Sequence, residues 1–302
     1  MPIPEIPADQ PQATMLDVPS TGESRRPRVR VEFGALSHPG KVRGNNEDQF
    51  LVARLAKSMQ VCKASLHDSG ETYFSDEEGY LMVVADGMGG AAAGERASAL
   101  AVKTLEESVL NTLKWFLHLG GQEEHALVAE LREALTRADR AVFERAQGDW
   151  SLRGMGTTLT MAYSVGTDLF IVHAGDSRAY LFHDGELQQL TDDHTFVQMM
   201  VKHGKLAPEE ARHHRMRNVV TNVLGGPEEG VYVEIKKLSV ADGDTLLLCS
   251  DGLTEPVRDA KIAEVLGRAS SAEEASANLV TLALDRGGPD NVTVVVARYA
   301  VA

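Results

Sequence analysis

The chain has 302 residues, 43% of them hydrophobic and 25% charged, an ordinary globular composition at a length that buries its own core without staples. A formal net charge of −14 speaks against a nucleic-acid binder, which carries a basic face; the surplus acid reads as a soluble, self-repelling surface. Two cysteines, Cys62 and Cys249, cannot build a disulfide framework, and neither a secretory core nor an apolar run of about 18 residues is visible, so a cytoplasmic chain without a membrane span is expected.

In chain order, the first thirty residues hold six of the eleven prolines and a basic patch at Arg25, Arg26, Arg28 and Arg30. Such a segment cannot bury enough apolar surface to offset its ordering entropy, so residues 1–30 are read as a disordered tail and residues 31–302 as one domain. The polar stretch Ala56 to Gly79 reads as a surface insertion, and the aliphatic run Tyr80 to Ala85 as a strand. Two long amphipathic helices follow. One starts near Gly94 and runs through Leu100, Val102, Leu105, Val109 and Leu113. The other covers roughly Glu123 to Ala146, with Leu127, Leu131, Leu135, Ala138, Val142 and Phe143 on one face. Trp115, Phe116 and Leu117 read as packing at a helix end.

Strands are expected at Thr157 to Tyr163, Leu169 to His173 and Ala179 to Phe182, the last leading into an Asp184-Gly185 hairpin turn. Thr191 to Gly226, rich in His and Arg, reads as a partly helical excursion from the sheets. Strands at Val231 to Ile235, Thr245 to Cys249 and Val292 to Tyr299 frame two shorter helices, around Ala260 to Arg268 and Ala272 to Arg286. Hairpin-linked strands punctuated by helix pairs imply an α+β fold, with antiparallel sheets and helices packed outside.

Four segments place aspartate beside glycine, asparagine or glutamate at the edge of an apolar run: NNEDQF (45–50), VVADGMGG (83–90), CSDGLTE (249–255) and GGPDNVTVVV (287–296). A strand ending in Asp-Gly lets the carboxylate leave the sheet edge, while glycine permits a sharp turn and frees a carbonyl. Carboxylate, carbonyl and water are the ligands hard divalent cations prefer. If these ends converge, each carboxylate pair at ~4 Å costs roughly 4 kcal/mol at an effective dielectric near 20, which calls for raised pKa values or bound cations. A lone Asp-Gly is usually a turn, and Asp184-Gly185 and Asp242-Gly243 keep that reading.

The ordered set NNED, ADGMGG, GDSRAYL, SDGLTE and GPDNVT resembles the metal-dependent protein serine/threonine phosphatases of the type-2C family, bacterial branch, over about Ser37 to Arg298. The resemblance implies two antiparallel sheets sandwiched between helix pairs, a four-layer αββα arrangement. It also implies two Mn²⁺ or Mg²⁺ ions, with a third, weaker site. Asp86 would bridge the two, with the Gly87 carbonyl on one; Asp251 and Asp290 would hold the other, and Glu47 and Asp48 the remaining positions. Asp176 in GDSR would serve the third site together with Asp251, the competing reading being a structural carboxylate paired with Arg178. Arg43 would grip the substrate phosphate, a role that suits a permanently charged guanidinium fork.

The implied reaction is hydrolysis of phosphoserine or phosphothreonine by a hydroxide bridging the metals, reversing a serine/threonine kinase. The segment from His194 to Asn222 resembles the family's flap; His203, His213 and His214 within it read as a solvated face. Met88 stands where eukaryotic members carry a histidine and cannot donate a proton, which leaves a metal-bound water or another donor, with His38 and His194 the nearest named candidates. Two other readings stand beside the enzyme: an inactive relative that binds phosphoproteins, and a phosphatase acting on a partner-switching regulator. No heptad seam is visible, and a monomer is expected.

Overall fold

The computed structural model describes residues 28–60, 72–89, 93–111 and 121–302. Most of the expected tail, Cys62, and the cluster at Trp115, Phe116 and Leu117 lie outside the described residues.

Three strands come first, β1 (Val29–His38), β2 (Asp48–Gln60) and β3 (Thr72–Met88), then two long helices, α1 (Ala93–Asn111) and α2 (Gly121–Gly148). After a short 3-10 turn the chain makes β4 (Gly156–Thr157), β5 (Leu159–Val165), β6 (Asp168–Ala174), β7 (Arg178–His183) and β8 (Glu186–Gln189). The excursion carries α3 (Phe196–Lys202) and α4 (Pro208–Ala211), and the chain rejoins the sheets through β9 (Leu224–Gly225), β10 (Glu234–Ser239) and β11 (Thr245–Cys249). Helices α5 (Asp251–Thr254), α6 (Asp259–Arg268) and α7 (Ala272–Asp285) lead to β12 (Val292–Val301).

Every strand pairing is antiparallel. One sheet has the order β1-β12-β11-β7-β8; the other runs β10-β6-β5-β3-β4-β9, with β2 also paired to β3. Successive strand side chains point to opposite faces, and both faces are buried. On β3, Tyr80, Met82 and Val84 face the layer between the sheets, whereas Leu81 and Val83 pack with Leu105 of α1 and Leu127, Leu131 and Leu135 of α2. On β12, Val295, Ala297 and Tyr299 point between the sheets, and Val292, Val294 and Val296 pack against Ile262, Leu266 and Leu279 of α6 and α7. Three apolar layers between four structural ones make the αββα sandwich.

The structure moves several boundaries. Val29 and Arg30 belong to β1, paired with Val301 and Ala300, so the sheet begins two residues inside the stretch assigned to the tail. Within the 56–79 stretch, the described residues 56–60 and 72–79 belong to β2 and β3, which pair out to Gln60 opposite Thr72, with a shift between Ala56 and Ser58. Backbone pairing continues there although the residues are polar, because ladder hydrogen bonds do not require an apolar face. In α1 the buried face is built from Ala97, Ala101 and Leu105, with Leu100 and Val102 only half-buried. β10 starts at Glu234 and runs on through two lysines as an edge strand, a charged edge that apolar alternation does not reveal.

Candidate metal centre

The leading end of β2, the far end of β3, the β6–β7 loop, the β11–α5 junction and the loop before β12 open on a single cavity of about 300 Å³. Arg43, Gly44, Asn45 and Glu47 line it from before β2, Asp86, Gly87, Met88 and Gly89 from the end of β3, and Thr158 and Asp176 from the β5–β7 region. Asp251, Asp290 and Asn291 close it from the C-terminal side, and Asn218 and Val220 of the excursion reach it as well. Asp48 is buried behind the wall at 3% exposure, directly opposite Asp86 in the β2–β3 ladder.

Backbone bonds fix each carrier and leave its carboxylate available. The Asp86 amide donates to Thr158 Oγ1 at 3.0 Å, and its carbonyl accepts from Thr158 N at 2.8 Å and Thr157 Oγ1 at 2.9 Å. Gly87 is not a turn residue: β3 continues through it to Met88. Its role is close approach, since a Cβ there would lie 2.2 Å from the Gly94 carbonyl oxygen, and one on Gly94 would lie 2.5 Å from Glu47 Oε2. The start of α1 can therefore press against the metal loop only through paired glycines. Gly252 does the same beside Asp251, its absent Cβ falling 1.8 Å from the Asn291 carbonyl oxygen.

Asn291 ties the loops together. Its Nδ2 donates to Pro39 O at 2.9 Å and Asn45 O at 2.8 Å, and its Oδ1 accepts from Glu47 N at 2.8 Å. Ser250 donates to Asp48 Oδ2 at 2.8 Å and accepts from Thr293 N at 3.0 Å. Asp290 accepts from the Asn291 amide at 2.8 Å and from Arg43 Nη2 at 2.7 Å. Asp176 does not pair with Arg178, whose guanidinium forks onto Asp193 at 2.8 and 2.6 Å. That leaves the Asp176 carboxylate to the cavity.

These carboxylates strain one another. Burial first, then the neighbouring aspartates, push Asp86 and Asp251 well above the usual carboxylate range. Burial likewise lifts Asp48 to about 6 and Asp176 to about 7. Glu47 rises through burial although Arg43 pulls the other way; Arg43 is raised by its bond to Asp290. Among the described residues Asp48 Oδ1 and Asp251 Oδ1 are buried with no hydrogen-bond partner. Orphaned carboxylate oxygens in a cluster of like charge fit hard divalent cations, which take oxygen ligands and relieve both defects. Among the described residues, the group of three with the spacing of a single metal cage is His173, His194 and Glu234, whose ligand atoms lie within 4.8 Å of one another.

No histidine is among the residues lining the cavity. His38 Nδ1 accepts from Gly40 N at 2.9 Å, and His194 stacks on His173 at 4.8 Å between ring centroids. Neither candidate proton donor is placed for that role. Sequence reading missed Asn291, Ser250 and Thr158, polar residues inside or beside the acidic segments, and also Asn218 and Val220, which carry no local signal.

Residues 58–283 match the family model described as Protein phosphatase 2C. The chain belongs to the protein phosphatase 2C family. Relatives include the serine/threonine protein phosphatase PstP of Mycobacterium tuberculosis, 39% identical over 268 residues. That match spans 88% of this chain but 45% of the relative, less than half its length. The serine/threonine phosphatase stp of Listeria monocytogenes is 34% identical over 227 residues, 75% of this chain and 87% of that one. Among solved structures, M. tuberculosis PstP superposes with a TM-score of 0.71 at 38% identity, covering 89% of this chain and 98% of that one. The PstP catalytic domain in complex with two manganese ions gives 0.70 at 37% identity, covering 90% and 99%. The phosphatase 2C match at 58–283 stops short of Arg43, Glu47, Asp48 and Asp290 at both ends, and these are the residues the fold carries to the same cavity wall or just behind it.

Proposed function

We propose that this chain is a metal-dependent phosphatase that hydrolyses phosphoserine and phosphothreonine in proteins, opposing a serine/threonine kinase, as a cytoplasmic monomer. The observation that carries the reading is one cavity lined by Glu47, Asp86, Asp176, Asp251 and Asp290, with Arg43 in the same wall. Asp86, the Gly87 carbonyl, Asp251 and Asp290 would hold two Mn²⁺ or Mg²⁺ ions; Glu47 and Asp48 would complete the set, and Asp176 with Asp251 would serve a third, weaker site. When bound, the ions supply a hydroxide nucleophile at neutral pH by lowering the pKa of water.

The chain's own groups do the rest. Arg43 is half-exposed and spends one N–H on Asp290, which aims the guanidinium and leaves further donors for phosphoryl oxygens. Those bonds hold the phosphoryl group in line and stabilise its oxygens as charge shifts. Met88 lines the cavity and has no proton to give, so the departing alkoxide would take its proton from a water or another donor.

Asp86→Ala and Asp251→Ala are each expected to abolish Mn²⁺-dependent phosphate release from a small aryl phosphate; activity retained at saturating metal rejects the assignment. Phosphoserine and phosphothreonine peptides are expected to be hydrolysed in preference to phosphotyrosine peptides, and the reverse order would move the chain to another substrate class.

A further inference from the structure

The excursion leaves the sheets after His194 and returns at Thr221, and both ends meet on that histidine. The His194 amide donates to Gly175 O at 2.7 Å, and the Gly175 amide donates back to His194 Nδ1 at 3.1 Å. The His194 carbonyl accepts from Thr221 N at 2.8 Å and Thr221 Oγ1 at 3.0 Å. Asn222 Nδ2 lies 2.9 Å from the same Nδ1, and the Asn222 side chain also bonds both backbone groups of Tyr232, at 2.8 and 2.9 Å. Just beyond, Thr195 bridges Val220 and Phe196 N donates to Val219 O at 2.9 Å.

The ring has one consistent state. A backbone N–H only donates, so Nδ1 is the acceptor and the proton sits on Nε2, which faces Glu234 at 3.5 Å. Glu234 is also paired with Lys236 at 3.0 Å; burial alone would raise it, but the bonds from His194 and Lys236 bring it down to about 2. The ring rests on His173, whose nitrogens meet Thr160 Oγ1 at 2.9 Å and Asp192 O at 3.2 Å. His173, His194 and Glu234 have the spacing of a metal site, yet their ring nitrogens are already committed to these bonds.

We propose that His194 is a positioning residue, a joint that sets the flap residues lining the cavity and the Asp176 carboxylate together. On one side it grips Gly175, the residue before Asp176, whose backbone has little room to readjust: its φ is +123° and a Cβ would fall 2.5 Å from Thr158 Cβ. On the other it holds the neck next to Val220, which lines the cavity with Asn218. The proposal rests on Asp176 acting at the metal centre, as read above.

The test uses the full chain with two substitutions. His194→Asn keeps an acceptor oxygen close to the Nδ1 position; His194→Leu keeps the bulk and removes it. In metal-free protein, amide hydrogen exchange at Gly175 and Thr221 is expected to quicken about tenfold in the leucine variant and to stay near wild type in the asparagine variant. Calorimetric titration with Mn²⁺ is expected to show weakened binding in the leucine variant and recovery in the asparagine variant. Unchanged exchange in His194→Leu, or no recovery in His194→Asn, overturns the joint. Faster exchange with unmoved Mn²⁺ binding reduces His194 to a structural residue and also overturns the proposal. Should His194→Leu fail to fold, Asn222→Ala opens the joint from its other side and carries the same expectations. Exchange needs neither metal nor substrate, so it reads the joint even if the chain releases no phosphate, an outcome that would sink the phosphatase reading instead.

Discussion

Asp48 Oδ1 and Asp251 Oδ1 are buried carboxylate oxygens without a partner, and the groups around them hold protons that exposed carboxylates would surrender. Asp48 and Asp176 titrate near 6 and 7 in the folded chain, above the ~3.9 of an unfolded aspartate. The folded state therefore binds more protons than the unfolded one across that interval. The stability these groups contribute is present below the unfolded value and is lost as pH rises through the folded ones. His173, lowered to about 4 by burial and then by His194, works in the opposite sense, losing stability as pH falls from ~6.5 toward 4. Asp86 and Asp251 shift in the same direction as Asp48 and Asp176. The melting temperature of metal-free protein is thus expected to fall between pH 6 and pH 8, and saturating Mn²⁺ is expected to flatten that slope. A metal-free melting temperature that rises over this interval would contradict the carboxylate cluster. At the same scale, Asn291→Ala removes three bonds that hold the loop before β2. A cost of about 3 kcal/mol is expected in denaturant unfolding, with weakened Mn²⁺ binding because Glu47 loses one of its backbone anchors.

At the scale of elements, backbones must approach closely for the centre to form. α5 is a single short turn after Ser250, and Gly252 lets it lie against the Asn291 carbonyl. Gly252→Ala is expected to cost about 3 kcal/mol or more, because the obstacle is backbone and cannot rotate away; a variant with wild-type stability would show that the contact is dispensable. Packing of α2 is more forgiving of chemistry but not of volume. Leu135 is fully buried between α2 and the second sheet, so Leu135→Ala is expected to lower unfolding free energy by roughly 2–5 kcal/mol. Mn²⁺ affinity should be unchanged while the variant stays folded, since the site lies at the strand ends and not under that helix. A parallel loss of Mn²⁺ binding would show that the layer and the site are not independent.

Across the whole molecule, a cation that binds only the folded chain acts as a staple between the two sheets. Asp86 comes from one sheet, while Asp251 follows β11 and Asp290 precedes β12 of the other. Mn²⁺ at a hundred times its dissociation constant is expected to stabilise the fold by ~2.7 kcal/mol, and a chelator is expected to return the melting curve to its metal-free position. No shift in melting temperature with Mn²⁺ would mean that the sheet ends do not share an ion. No helix among the described residues is long and apolar enough to cross a membrane.

Much of this was legible in the amino-acid order. The buried strands β6, β11 and β12 announce themselves as largely aliphatic runs, because a strand covered on both faces has little polar side to interrupt it. The acidic segments were visible as Asp beside Gly or Asn, and the ordered set of five pointed to one family. What the order of residues leaves out is anything set by a partner distant along the chain. β10 and the outer arms of β2 and β3 are strands because a neighbour supplies their hydrogen bonds, whatever their side chains. Gly87 reads as a turn glycine in one dimension and turns out to be a contact glycine, since Gly94 and Glu47 meet it only after folding. The same holds for Asp176, freed for the cavity because Arg178 chose Asp193, and for Asn291 and His194, whose bonds span loops far apart in sequence. Local chemistry determined which side chains were available; the pairing of two sheets determined which of them meet, because only the folded backbone brings carboxylates from five segments close enough to repel.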